Sequence, residues 1–228
     1  DLYPVLEVAN VTVSVGWTAG ASNVKIAALR WAVGQTALDL GCGRGWYASL
    51  LADRGFRVVG MDQANQITDS RVEILVGDIH PPLPFANDEF NTVLMFDILE
   101  HLAEEQGMMA EVARVCAKGG RVILSVPNAD DGFLPVYGLT YLHRIDRTHV
   151  REYTLADLPG RLEMFGFRTL YCALEGQAHL PLVFSEFVRG PRALKTLARY
   201  GLTALQKLGL IHNPNIAGDI HWVGERLG

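Results

Sequence analysis

The run Leu38-Asp39-Leu40-Gly41-Cys42-Gly43-Arg44-Gly45 has the residue types and spacing of a ligand-binding turn. Alternating glycines let the main chain turn tightly and come close to a bound molecule. An acid ends each of the next two apolar stretches: Asp62 after Arg57 to Met61, and Asp78 after Val72 to Val76. A carboxylate at the first place can accept hydrogen bonds from both hydroxyls of a ribose, and one at the second can meet a purine edge. The glycines follow the spacing GxGxG, not the GxGxxG that presents a helix N-terminus to a pyrophosphate. Asp39 stands two residues before the first glycine, where its charge would repel a pyrophosphate and suit a cationic ligand.

Such residues act only if strands and helices hold them at one edge. From Thr36 onward the chain alternates between the two. Ala37 to Leu40, Arg57 to Met61, Val72 to Val76, Phe90 to Phe96 and Arg121 to Val126 read as buried strands. Trp46 to Arg54, ended by Gly55, and Ala103 to Cys116, closed by Gly119-Gly120, read as helices, as does Asn23 to Trp31 before them. Thr154 to Phe165 predicts a further helix with Thr154 as its N-cap, followed by strands at Arg168 to Leu174 and Ile220 to Arg226. The expectation is an α/β fold: a doubly wound, mostly parallel, seven-stranded sheet with helices on both faces and right-handed crossovers. Its expected organisation is an N-terminal cap segment (1–35), a core (36–175), a helical lid insertion (176–215) and a last core strand (216–228). In an open sheet of this kind, ligands bind at the carboxyl ends of the strands where the strand order reverses.

Composition narrows the function classes. The chain has 228 residues, about half of them apolar, enough for a sizeable core. Its net charge of −5 argues against a general nucleic-acid binder. Cys42, Cys116 and Cys172 are far apart and form no CxxC, so neither a disulfide framework nor a zinc site is expected. No basic leader segment and no apolar run of about 20 residues is visible, so a cytoplasmic setting without a transmembrane segment is expected. A monomer or homodimer is expected.

The ordered set LDLGCGRG at 38–45, Met61-Asp62, Gly77-Asp78-Ile79, FDILEHL at 96–102 and GGRVILSVPN at 119–128 resembles the class I S-adenosylmethionine-dependent methyltransferases. The likeness is to the broad methyltransferase-domain group that includes ubiquinone-biosynthesis-type enzymes, and it covers about Thr36 to Asn128. The resemblance implies a Rossmann-like fold and S-adenosylmethionine as cofactor, with S-adenosylhomocysteine as its product. It implies Asp39, Gly41, Cys42 and Gly43 around the methionine end and Asp62 on the ribose. Gly77, Asp78 and Ile79 would flank the adenine, with Gln63 and Phe96 lining the pocket. The chain departs from the family between Asp62 and Val72, where only a short polar stretch stands in place of the usual second helix.

Methyl transfer from a sulfonium needs alignment and exclusion of water more than covalent help, but an oxygen, nitrogen or carbon nucleophile can need a base. His101 and His149 are the candidates. In some relatives a similar acid-x-x-Glu-His segment and a distant His bind a divalent metal. Carried over, that implies Asp97, Glu100, His101 and His149, an option less favoured than a metal-free site. Tyr3, Trp17, Phe133, Tyr137 and Tyr141 would suit an apolar or aromatic small acceptor, or would simply seal the cap. After Pro191, Leu194, Leu197, Ala198, Leu205 and Leu208 fall near one helix face and Arg192, Lys195 and Arg199 on another. This suits a lid helix packed on the core, peripheral contact with a membrane through 191–208 or with an anionic or lipid-like substrate, or a dimer interface. Small-molecule O-methylation is the leading reading. The alternatives are a lipid, quinone precursor or glycan as acceptor, metal-dependent RNA 2′-O-methylation, a non-catalytic S-adenosylmethionine-binding domain, and a nicotinamide dehydrogenase.

Overall fold

Residues Ala37 to Leu40 are buried without alternation, as befits a strand covered by helices on both sides. The computed structural model describes residues 5–8, 11–14, 22–129, 148–177, 191–210 and 217–228. A small antiparallel hairpin comes first, β1 (Val5–Val8) with β2 (Val11–Ser14). Helix α1 (Asn23–Ala28) runs into a 3-10 turn, Leu29–Trp31. There follow β3 (Thr36–Leu40), α2 (Trp46–Asp53), β4 (Arg57–Asp62), β5 (Val72–Val76) and β6 (Phe90–Phe96). A second 3-10 turn, Leu99–His101, leads to α3 (Glu105–Val115) and β7 (Cys116–Pro127). The chain ends with α4 (Leu158–Glu163), β8 (Phe167–Gln177), α5 (Arg192–Lys207) and β9 (Ala217–Arg226).

The seven-stranded sheet has the order β5-β4-β3-β6-β7-β9-β8. The pairs from β5 through β7 are parallel, and β9 runs antiparallel between β7 and β8. Strand order therefore reverses between β3 and β6, and the carboxyl ends of those strands, Leu40 and Phe96, open side by side. One face packs Leu38, Leu40, Val93, Met95, Leu124 and Trp222 against α3 and α4. The other packs Ala37, Leu94, Phe96, Ile123 and Val223 against α1, its 3-10 turn and α2. The mostly parallel seven-stranded sheet expected from the sequence is the one observed.

Some boundaries differ. Strand β7 begins at Cys116, earlier than expected, because Phe90 already pairs with Cys116 across a bulge. The helix expected over Thr154 to Phe165 is confined to Leu158–Glu163. Thr154 and Asp157 exchange bonds, the backbone N–H of each donating to the side-chain oxygen of the other at 2.8 and 3.3 Å, which holds a turn ahead of the helix. No helix stands between β4 and β5. Ile67 fills that place against α2, and Arg71 ties the stretch to α2 by donating to Asp53 at 2.7 Å. Helix α5 forms as expected, but its leucine stripe does not pack on the core: Leu194, Leu197, Leu205 and Leu208 are exposed. Tyr3, Trp17, Phe133, Tyr137 and Tyr141 lie outside the described residues.

The last strand depends on one large side chain. Trp222 is fully buried, its ring edge-on to Phe167, and its indole N–H donates to Thr169 Oγ1 at 3.0 Å. The ring lies over Gly224, where any Cβ would overlap it. Gly224→Ala should therefore lower the unfolding free energy by about 1–3 kcal/mol, through overpacking. Urea denaturation should show a lower midpoint with an unchanged slope.

Candidate functional site

At the strand-order reversal the chain turns out of β3 on the glycine run. The backbone N–H groups of Gly41 and Cys42 donate to the Met61 carbonyl at 2.8 and 3.3 Å, and that of Gly45 to the Cys42 carbonyl at 2.7 Å. These bonds lash the turn to the end of β4. Gly43 has a φ of 50°, a left-handed conformation that favours glycine, and no heavy atom lies within 4 Å of where its Cβ would stand. Its backbone N–H donates to Asp62 Oδ2 at 2.8 Å. One carboxylate oxygen of Asp62 thus orders the turn while the residue remains partly exposed.

Asp39 sits beneath the turn, 2 % exposed, with Oδ2 buried and without a hydrogen-bond partner in the protein. Burial pushes its pKa up to about 7; the Ala48 backbone N–H opposes this, and Asp62 adds to it. An orphaned buried carboxylate beside an open glycine asks for a donor or a cation. A pyrophosphate would bring the wrong sign. The ammonium-bearing methionine end of S-adenosylmethionine would bring the right one, so the turn fits that cofactor. Cys42 is buried against Gly60, and burial pushes its thiol up to about 12, which makes it inert packing.

The remaining cofactor candidates lie at the same sheet edge. Gln63 is exposed just past β4; Gly77 and Asp78 follow β5, Asp78 exposed. The Ile79 and Ile98 side chains both reach the place where a Gly41 Cβ would stand. Phe96, at the end of β6, is buried with Tyr47 edge-on at 4.7 Å between ring centroids.

The second group is built on the turn after β6. The segment after residue 147 is stitched to it: the Val150 N–H donates to the Glu100 carbonyl at 2.9 Å, Arg151 to the carbonyls of Leu102 and Ala103, and the Tyr153 hydroxyl to that of Leu99. This brings His149 edge-on to His101, ring centroids 4.6 Å apart. His101 Nδ1 lies 3.0 Å from Thr148 Oγ1. Glu100 is buried with both carboxylate oxygens unpartnered, and burial, with Asp97 nearby, pushes it up to about 8. Glu100, His101 and His149 each offer a ligand atom, all within 4.8 Å of one another. One carboxylate and two imidazoles suit a first-row divalent ion. Asp97, the fourth residue of the implied set, is not in this group.

Asp97 is engaged elsewhere. Its backbone is left-handed, with φ at 54°, and its N–H donates to the Ser125 carbonyl at 3.0 Å. The Ser125 hydroxyl donates to Asp97 Oδ1 at 2.7 Å, and Lys25 of α1 pairs with Oδ2. Lys25 is buried; desolvation alone would lower its pKa, but Asp97 and Asp219 outweigh this and raise it. Asp219 and His221 share one face of β9 beside this pair. Burial raises Asp219, and burial together with Lys25 pushes His221 down to about 4, so its imidazole is neutral. His221 Nδ1 is buried without a partner. Sequence reasoning missed Lys25, Ser125, Asp219 and His221. The signal for the last two was their period-two spacing with buried Val223, on the face opposite Ile220 and Trp222; for Lys25 it was its place between Val24 and Ala28, both buried.

The Lys25–Asp97 pair is lopsided, since the lysine side chain is 8 % exposed and the aspartate 43 %. Asp97→Ala strands a buried ammonium and should cost about 3 kcal/mol, whereas Lys25→Met leaves a carboxylate that water can reach and should cost about 1 kcal/mol. The double variant should lose at least ~1 kcal/mol less than the sum, as chemical denaturation of all four proteins would show.

A family model described as a methyltransferase domain matches residues 21–171. Among curated proteins the chain is similar to a probable S-adenosylmethionine-dependent methyltransferase of Mycolicibacterium smegmatis, 31 % identical over 140 residues that make up 59 % of this chain and 52 % of the relative. It is also similar to a demethylmenaquinone methyltransferase of Paenarthrobacter aurescens, 29 % identical over 131 residues, 55 % of this chain and 51 % of that protein. The chain spans about half the length of these curated relatives. Among solved structures, phosphoethanolamine N-methyltransferase 2 of Haemonchus contortus, in complex with S-adenosyl-L-methionine, shares the fold with a TM-score of 0.61 at 17 % identity, over 93 % of this chain and 53 % of that one. The family match takes in more than half of the chain and every strand from β3 through β7, and this protein therefore belongs to the methyltransferase-domain family, within the class I S-adenosylmethionine-dependent methyltransferases.

Proposed function

We propose that the chain methylates an oxygen of a small, apolar or aromatic acceptor with S-adenosylmethionine. The observation that carries this reading is the orphaned Asp39 carboxylate beside the open Gly43, with Asp62 one strand away. S-adenosylmethionine supplies a methyl group already activated on a positively charged sulfur. Asp39 holds positive charge under the glycine turn. Asp62 keeps the turn in shape with one oxygen and accepts from ribose hydroxyls with the other. Asp78 and Ile79 flank the adenine side, and Gln63 and Phe96 close the pocket. Ile98, in contact range of Gly41, joins this pocket to the turn bearing His101 and His149. Either imidazole can take a proton from an acceptor hydroxyl as the new bond forms.

A second reading is favoured by the carboxylate and two imidazoles of Glu100, His101 and His149. They would hold a divalent ion, whose chemistry is to lower the pKa of a coordinated acceptor hydroxyl. The demethylmenaquinone methyltransferase relative supports a quinone precursor as one acceptor of this type. Mn²⁺ titration separates the readings: binding that disappears in His149→Ala supports the metal, and full methyl transfer in the presence of a chelator supports the bare imidazole.

Calorimetry with S-adenosylmethionine and with NAD tests the cofactor. The first should bind and the second should not, and Asp62→Ala should weaken binding on the order of 100-fold through lost charged hydrogen bonds. No binding of S-adenosylmethionine by folded protein would sink the proposal. The Asp39 carboxyl, raised to about 7, must be ionised to hold a cation. Affinity should therefore fall as pH drops through 7, by up to about tenfold per unit, and Asp39→Asn should bind weakly with no such slope.

A further inference from the structure

Helix α5 is amphipathic with its apolar side outward. Leu194, Leu197, Gly201, Leu205 and Leu208 recur at helical spacing along one stripe, flanked by Tyr200 and Ala204, and all are exposed. Leu197 and Leu208 are 69 % and 71 % exposed. The flank bearing Lys195, Ala198 and Leu202 is half-buried, and Thr203, across the helix from the stripe, is buried. A lid helix packed for stability would show the reverse arrangement. Leu210, just past the helix, extends the apolar surface.

Charge identifies what this surface meets. Between Phe187 and Gly218 the chain carries Arg189, Arg192, Lys195, Arg199 and Lys207 and no acid, although the whole protein has a net charge of −5. An exposed apolar stripe inside a purely basic segment is the pattern of a helix lying in the interface of an anionic bilayer. No helix among the described residues is long and apolar enough to cross a membrane, so this contact is with the surface. Position adds a reason. β8 ends and β9 begins at the sheet edge that carries the glycine turn, and α5 lies in the connection between them. A bilayer seated on α5 would stand beside the edge where the acceptor must enter.

We propose that α5 docks the protein on the surface of membranes containing anionic phospholipid. The proposal stands apart from the methyl-transfer reading, because cofactor binding is measured separately on the same samples. The experiment is co-sedimentation of the full chain with vesicles of phosphatidylcholine, alone or mixed with phosphatidylglycerol. Partitioning should be at least about tenfold stronger on the anionic vesicles and should weaken with added salt. Leu197→Ser with Leu208→Ser should reduce it on the order of 100-fold while S-adenosylhomocysteine binding is kept, since each leucine contributes about tenfold. Leu197→Ser alone, at about tenfold, gives the same reading if the double variant folds poorly. Three results would overturn the proposal. One is no partitioning by protein that still binds S-adenosylhomocysteine. Another is partitioning that the substitutions leave unchanged. The third is a dimer in analytical ultracentrifugation that the substitutions dissolve, which would give the stripe to a second copy of the chain.

Discussion

The reversal of strand order between β3 and β6 is the constraint on which the rest of this molecule depends. Connections leave β3 toward one side of the sheet and reach β6 on the other, so nothing in the sheet covers the gap between their carboxyl ends. The glycine turn is held at the edge of that gap from behind, because Met61, at the end of β4 on the other side of β3, accepts two of its N–H groups. The same gap receives the turn after β6, whose Ile98 comes up to Gly41. Both halves of the candidate site are therefore consequences of topology, and the side chains only specialise it.

Charge specialises it most. Asp39 and Glu100 are buried acids with unpartnered oxygens, and Lys25 is a buried cation that acts on Glu100. Burial raises both acids, so the free protein holds them partly protonated near neutrality and tolerates their cost. On the proposed reading, a cationic ligand at Asp39 or an ion at Glu100 would reverse that balance and draw the carboxylate into its charged form. Such a site discriminates by sign before it discriminates by shape, which separates it from a pyrophosphate-binding crevice on a similar sheet.

How much could be read in advance differed with the range of the interactions. The strands were legible because central parallel strands are continuous apolar runs, and the glycine turn because its spacing is local. The loss of the helix between β4 and β5 was also legible, as too few residues separate Asp62 from Val72. The N-terminal hairpin was not, since Val5 to Val8 is an apolar run broken only by Glu7 and the alternation of Val11 to Ser14 lasts only four residues. Lys25 was hidden for a different reason. A lysine in a short helix reads as a solvated residue, and only its partner 72 positions away makes it part of the interior. The orientation of α5 was equally illegible: a helical wheel shows which residues share a face, but tertiary packing decides which face is turned inward.

The antiparallel strand β9 lies between β7 and β8 although it follows both in the chain. As the polypeptide leaves the ribosome, β8 has no neighbour to pair with, and the outer edge of β7 stays bare, until residues 217–226 emerge. That late strand also delivers Asp219 and His221 to the crevice. The glycine turn is thus synthesised early, while Asp219 and His221 arrive beside Lys25 and Asp97 only when the sheet is completed. The Lys25–Asp97 pair therefore gains its buried neighbours on β9 only when the sheet is finished, whereas Asp39 and the glycine turn are made together.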